Sequence, residues 1–191
     1  WETMIDTNVK GVMYVTKAVL PYMRNRNEGQ IINFSSIMGL VAIPFQSAYT
    51  ASKFAIEGFT ETLRMETRNY GIKVSLIEPT DHKSGSMKYR PHAAAADLLS
   101  SPYRDLFLKV TAKIEYDEAN GSEPEKLAKL VAKIIRSKKP KLRYMSGKFD
   151  QKAFENFMSQ NGLTEAQVRR ELKQQLLLEQ IGAQDAKDVR L

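Results

Sequence analysis

Tyr49-Thr50-Ala51-Ser52-Lys53 sets a phenol and an ammonium four residues apart, the spacing that brings two side chains onto one helical face. An ammonium beside a phenol favours the phenolate and draws its pKa down from about 10 toward the working range. A phenol tuned in this way exchanges a proton with an alcohol or carbonyl oxygen as general acid or base. Ser36 lies upstream, in Asn33-Phe34-Ser35-Ser36-Ile37-Met38-Gly39, and brings a hydroxyl able to hydrogen-bond the same substrate oxygen. Asp6-Thr7-Asn8-Val9-Lys10-Gly11 places an amide earlier still, and Ile77-Glu78-Pro79 follows downstream. Each residue also has a plain structural reading. Asn8 can be an ordinary helix residue, Ser36 a cap or turn former, Tyr49 a packing aromatic and Lys53 a snorkelling surface charge.

These residues need elements to hold them. Met4, Ile5, Val9, Val12, Met13 and Ala18 recur at helical spacing over residues 4–25, with Pro21 expected to bend the far end. Gln30 to Ser35 is a β-prone run of the buried kind. Residues 36–46 read as a loop holding Gly39 and Pro44, and 47–70 as a helix stopped by Gly71 in the C′ position. Ile72 to Ile77 predicts a second strand, closed by Pro79. Short helices are expected around 94–99 and 103–112. Ser122 with Glu125 predicts a capping box, leading into a helix with Leu127, Leu130, Val131, Ile134 and Ile135 on one face. Lys141 to Met145 reads as a last strand. Helix and strand in alternation predict crossover units and a parallel α/β sheet. In such sheets the sites form at the carboxyl ends of the strands, where Ser36 and Pro79 fall.

Asn8, Ser36, Tyr49 and Lys53, at these spacings and in this context, strongly resemble the tetrad of the classical short-chain dehydrogenase/reductase family over residues 1 to about 145. The resemblance implies the C-terminal half of a Rossmann-like doubly wound parallel sheet. It implies Tyr49 as proton donor or acceptor, Ser36 as the group that polarises the carbonyl, and Asn8 as holder of a relay water. Lys53 would bind the nicotinamide ribose and depress the Tyr49 pKa, with Tyr49, Lys53 and Pro79 as cofactor contacts. The cofactor would be NAD or NADP, because no side chain supplies a hydride. The activity implied is that of an NAD(P)-dependent alcohol dehydrogenase or carbonyl reductase, in a homodimer or homotetramer pairing the helices of 4–25 and 47–70. The family's Pro-Gly is Pro79-Thr80 here, and Thr is less permissive than Gly of an unusual backbone angle, so a differently shaped loop is expected. No Gly-x-x-x-Gly-x-Gly turn occurs in the sequence, which leaves the pyrophosphate without a cradle and this chain by itself expected to be inactive.

Residues 146–180 break the pattern. Gly147-Lys148-Phe149-Asp150, Gln160 to Glu165 and Arg170-Glu171-Leu172 resemble the N-terminal helical region of SurA/PpiD-type periplasmic folding chaperones. The expected organisation is a catalytic half over 1–145, a helical hairpin insertion over 146–180 and a dehydrogenase tail over 181–191. A polypeptide-binding role through the insertion is the alternative function. A plain packing hairpin and a spliced chimera are further readings of the same residues.

Bulk properties set the outer bounds. The 191 residues are 42% hydrophobic and 27% charged, ordinary for a globular chain of about one domain. There is no Cys and there are two His, so no disulfide, thiolate or metal site is expected. The net charge of +7 admits a nucleic-acid partner, but the basic residues are interspersed with acids. The dense run Arg136 to Arg143 sits between a helix end and a strand, where a solvated turn explains it, so no nucleic acid is expected. No membrane span and no leader are visible, and a cytoplasmic location is expected. Without an initiator Met, the chain is expected to begin inside a larger protein. Met87, Tyr89, Leu98, Leu99, Tyr103 and Phe107, in the segment expected to line the pocket, point to an apolar small-molecule substrate.

Overall fold

A computed structural model describes residues 1–147 apart from 91, 94, 95 and 97. The expected insertion, but for its first two residues, and the expected tail lie outside the described residues, as does part of the helix expected at 94–99.

Three parallel strands form one sheet in the order β1 (Gly29–Phe34), β2 (Ile72–Pro79), β3 (Arg143–Ser146). The register pairs Ile31 with Val74 and Ile77 with Tyr144. β2 is central, and Val74, Leu76 and Ile77 have no accessible surface. A strand covered on both faces must be apolar nearly throughout, which is why its sequence does not alternate. Its one buried hydroxyl, Ser75 Oγ, donates to the Lys141 carbonyl at 2.9 Å. β3 runs one residue past the end expected for the α/β unit.

The first helix is continuous from Glu2 to Arg26 but changes pitch. α1 (Glu2–Ile5) passes into a π-helical segment, Asp6–Lys10, and then α2 (Gly11–Arg26), which accommodates Pro21 in its interior. Asn27 ends it in the left-handed conformation, which Asn tolerates better than most residues. α3 (Ser47–Thr67) runs into a 3-10 turn and stops at Gly71, whose φ is +64°. A Cβ there would lie 2.1 Å from the Asn27 carbonyl oxygen, so a glycine is required for two reasons. α3 lies on the sheet, with Leu63 packed on Ile31, Ile72 and Val74, and Leu20, Met23 and Phe59 closing that cluster. Burying an aliphatic side chain of this kind contributes about 1.5–3 kcal/mol.

α4 (Arg104–Ala119) starts within a residue of its expected position and runs seven residues beyond it. Val110 and Ile114 pack on Ile43, with Met38 and Leu106 at the edge, so α4 lies against the loop that follows β1. α5 (Pro124–Arg136) is capped differently from the expectation. Its N-cap is Glu123 and Pro124 opens it. Ser122 is instead bound through its main chain, its N–H to Asp81 and its carbonyl to Lys83. The competing backbone bridge wins the hydroxyl-bearing residue away from the helix end. Ile134 of α5 is fully buried, and its carbonyl accepts from Gln30 at 3.0 Å, which fastens α5 to the sheet. Among the described residues no helix is long and apolar enough to cross a membrane.

Arg143 departs from the solvated turn expected of the basic run. Its Nε lies 3.1 Å from Glu57 Oε2 and 3.4 Å from Glu78 Oε1, and its Nη2 is 3.3 Å from Glu61 Oε2. Glu78 is fully buried. A buried carboxylate has to be met by opposite charge, and β3 supplies it.

Candidate functional site

The carboxyl end of β1 delivers Ser36. The strand ends at Phe34, and Ser36, extended and nearly buried, caps the 3-10 turn Ile37–Gly39 by accepting from the Met38 N–H at 3.2 Å. It is therefore a cap, and it is also more than a cap, because its hydroxyl faces the Tyr49 phenol closely enough to favour the phenolate. Tyr49 stands in the first turn of α3, which the loop 40–46 returns beside the strand end. Val41 and Ile43 are buried and anchor that return.

Lys53 lies one turn further along α3. Its Nζ donates to the Phe34 carbonyl at 3.0 Å and sits 5.4 Å from the centre of the Tyr49 ring. Burial lowers the Lys53 pKa, since the charged form loses hydration there. The effect expected on Tyr49 is reversed. Burial pushes the phenol above its ordinary value, the Ser36 hydroxyl draws it back, Glu118 raises it and Arg90 lowers it. The ammonium lies against the ring and a main-chain oxygen, where it stabilises the phenolate little, so desolvation of the oxygen dominates.

Asn8 is brought to the same helix. The π-helical segment holds it, and such segments are frequent at functional positions because they redirect side chains out of the regular α pattern. Its Nδ2 donates to Ser52 Oγ at 3.1 Å, and Ser52 Oγ donates to the Tyr49 carbonyl at 2.7 Å. The structure thus gathers Asn8, Ser36, Tyr49 and Lys53 on the start of α3, with Ser52 as a fifth, buried member. Ser52 was visible in the sequence only as part of the motif's spacing, three residues after Tyr49.

Pro79 ends β2, paired with Ser146 of β3. Thr80 takes the place of a glycine without a left-handed angle. Its N–H donates to the Ser146 carbonyl at 2.7 Å, and its side chain fills the space that a Cβ on Gly147 would need. His82 then folds back over β3. Its Nδ1 is 2.9 Å from the Thr80 carbonyl and its Nε2 3.2 Å from Ser146 Oγ, so this loop is fastened at both ends.

Two residues that no sequence pattern signalled act on Tyr49 through their charge. Arg90 Nη2 forms an ion pair with Glu118 Oε1 near the end of α4, and Glu118 Oε2 accepts from Ser86 Oγ at 3.1 Å. Their charges act on the Tyr49 phenol with opposite sign, Glu118 favouring the neutral phenol and Arg90 the phenolate. Nearby, burial pushes the Asp81 carboxyl above its usual range, and Asp117 and Glu118 add to the shift. Twenty-eight residues separate Arg90 from Glu118 along the chain, a distance at which periodicity carries no information.

Residues 1–94 match the family model described as short chain dehydrogenase. Residues 124–182 match a second, described as SurA-like N-terminal domain, which takes in α5 and β3 of the sheet. The chain is 41% identical over 150 residues to a 3-ketodihydrosphingosine reductase of Bacteroides thetaiotaomicron, covering 78% of this chain and 55% of that one. It is 36% identical over 150 residues to retinol dehydrogenase 8 of Bos taurus, covering 74% and 47%. Among solved structures, a short-chain dehydrogenase from Streptomyces avermitilis superposes with a TM-score of 0.62 at 28% identity, over 87% of this chain and 57% of that one. The closed form of a serine dehydrogenase complexed with NADP+ gives 0.60 at 27%, over 77% and 55%. The chain spans about half the length of the curated relatives it matches.

Proposed function

The chain belongs to the short-chain dehydrogenase family, and on that premise we propose that it supplies the proton-transfer site of a nicotinamide-dependent oxidoreductase acting on an alcohol or carbonyl substrate. The observation that carries this reading is the meeting of Ser36 and Tyr49 at the carboxyl end of β1, with Lys53 Nζ 3.0 Å from the Phe34 carbonyl and 5.4 Å from the centre of the Tyr49 ring. Relatives named for a 3-keto compound and for retinol support that substrate class.

In this reading Tyr49 gives its proton to the carbonyl oxygen during reduction and takes one from the hydroxyl during oxidation. Ser36 holds the same oxygen and polarises it. Asn8 and Ser52 fix the main chain of Tyr49, and Asn8 holds the water through which the proton is replaced. An ammonium has three donors, and Lys53 spends one on the Phe34 carbonyl. The other two would be free to hold the hydroxyls of a nicotinamide ribose, and Pro79 would line the cofactor's place. The nicotinamide of NAD or NADP supplies or accepts the hydride that no side chain can. The exposed Tyr14, Val15 and Tyr22 of α2 and Phe54 and Met65 of α3 support a homodimer or homotetramer paired through these helices.

A panel of carbonyl compounds assayed with the full-length protein and reduced nicotinamide tests the reading. Tyr49→Phe is expected to lower kcat/KM about 10²–10⁴-fold while cofactor affinity holds. An active protein indifferent to Tyr49→Phe refutes the mechanism.

The match at 124–182 favours a second reading, in which the segment beyond Gly147 engages polypeptides. Under it, light scattering of an aggregating client polypeptide falls when the protein is added, with or without nicotinamide.

A further inference from the structure

Phe45 is the one non-glycine residue other than Asn27 with a positive φ among the described residues, at +62°. Asn tolerates that region, whereas a bulky side chain rarely enters it. Strain of this kind persists where surrounding contacts over-determine it, and it gathers at ligand clamps. Here the contacts are aromatic. The Phe45 ring meets Phe107 edge-on at 5.5 Å and 89°, and Tyr103 at 6.5 Å and 70°, while His92 meets Phe107 at 5.1 Å. The cluster ties the loop that returns the chain from Ser36 to Tyr49 onto the first turns of α4.

A ring kept only to fill the core would be covered. Phe45 is 39% exposed and Tyr103 66% exposed, so the strained conformation maintains an open aromatic surface. Edge-on pairs leave ring faces free, and a flat apolar group gains most from such faces. The surface is tied to the site along the chain and through one hydrophobic cluster. Phe45 lies four residues ahead of Tyr49, and Leu106, the neighbour of Phe107, packs on the same Ile43–Val110–Ile114 cluster as Met38, two residues past Ser36.

We propose that Phe45, with Tyr103 and Phe107, is the specificity-determining wall of the site and seats an aryl or alicyclic body carried by the carbonyl substrate. The proposal deepens the oxidoreductase reading and rests on it for what that body is attached to. The wall selects by contact with the ring and leaves the proton chemistry to Ser36 and Tyr49.

Propionyl-dimethylaminonaphthalene, an aryl ketone whose emission moves to the blue in apolar surroundings, is the probe, titrated into the full-length protein with butanone turnover measured in parallel. The wild type is expected to bind it. Phe45→Gly, which suits the backbone angle, should weaken binding about tenfold and leave the thermal midpoint within about 3 °C. Phe45→Asn tolerates the same angle and serves if the glycine variant does not fold, and Tyr103→Ala should weaken binding without touching the strained residue. Tyr49→Phe should bind the probe as the wild type does. No binding by the wild type, or equal affinity in the Phe45 and Tyr103 variants, overturns the proposal. Binding as expected, with no turnover of any ketone by the wild type, supports the aromatic seat and counts against the oxidoreductase reading alone.

Discussion

The proton on Tyr49 is held by opposed influences. Burial and Glu118 favour the neutral phenol, whereas Ser36 and Arg90 favour the phenolate. Burial is the largest of these, so the phenol is held protonated above its ordinary range. That state suits an acid. Carbonyl reduction should therefore hold constant through neutral pH and fall as pH climbs through the raised pKa, while alcohol oxidation should rise over the same interval. Ser36→Ala and Arg90→Gln remove groups that stabilise the phenolate, and both should move that limb to higher pH. Glu118→Gln should move it lower. Profiles of kcat/KM against pH in each direction measure this, and shifts of one sign in all three variants would contradict the assignment. The i, i+4 spacing of Tyr49 and Lys53 was legible in the sequence, but the direction of the Tyr49 shift was not. Spacing places an ammonium on the same helical face; whether it reaches the phenol oxygen or the ring depends on where the strand end offers a carbonyl.

At the scale of elements, α3 and β3 carry the site's rigidity. Gly71 ends α3 and its 3-10 extension with a left-handed angle and no room for a Cβ. Gly71→Ala should cost about 2–3 kcal/mol, read from urea unfolding, because the strain and the contact with Asn27 act together. Arg143 stands between Glu57 of α3 and Glu78 of β2. Arg143→Met should cost about 3–5 kcal/mol, since it strands two buried carboxylates. The stop at Gly71 was readable in advance, because a glycine after a periodic run is a local signal. The inward turn of Arg143 was not, since its partners lie 82 and 86 residues away in α3 and a run of basic residues looks the same whether solvated or paired. The capping box at Ser122 failed for a related reason. A bridge to Asp81 claimed that backbone first.

For the molecule as a whole, two family matches divide the chain, and the sheet does not divide with them. The SurA-like match begins at residue 124, yet α5 is fastened to β1 through Gln30, and β3 pairs with β2 over its full length. Lys126 Nζ donates to the Gly147 carbonyl at 3.0 Å, and Gly147 fits against Thr80. We propose that the α/β unit extends through Gly147 and that the segment beyond it is an insertion. Excision of residues 148–180 from the full-length protein should leave reductase activity within about threefold, the outcome expected of an insertion outside the α/β unit. Activity lost together with the thermal transition would show the segment to be integral.

Sequence alone determined the class of fold and the four residues of the proposed site, because both are written in short-range order. Strands of β-branched residues, helices at 3.6-residue spacing, a stop at Gly71 and the Tyr49–Lys53 interval each need only a few neighbouring positions. Tertiary structure decided what surrounds those residues. It brought the charges of Arg90 and Glu118 within reach of Tyr49, turned Arg143 inward, drew Ser52 between Asn8 and the Tyr49 main chain, and held Phe45 in a conformation its side chain resists. Burial and long-range pairing govern each of these, and neither leaves a periodic trace along the chain.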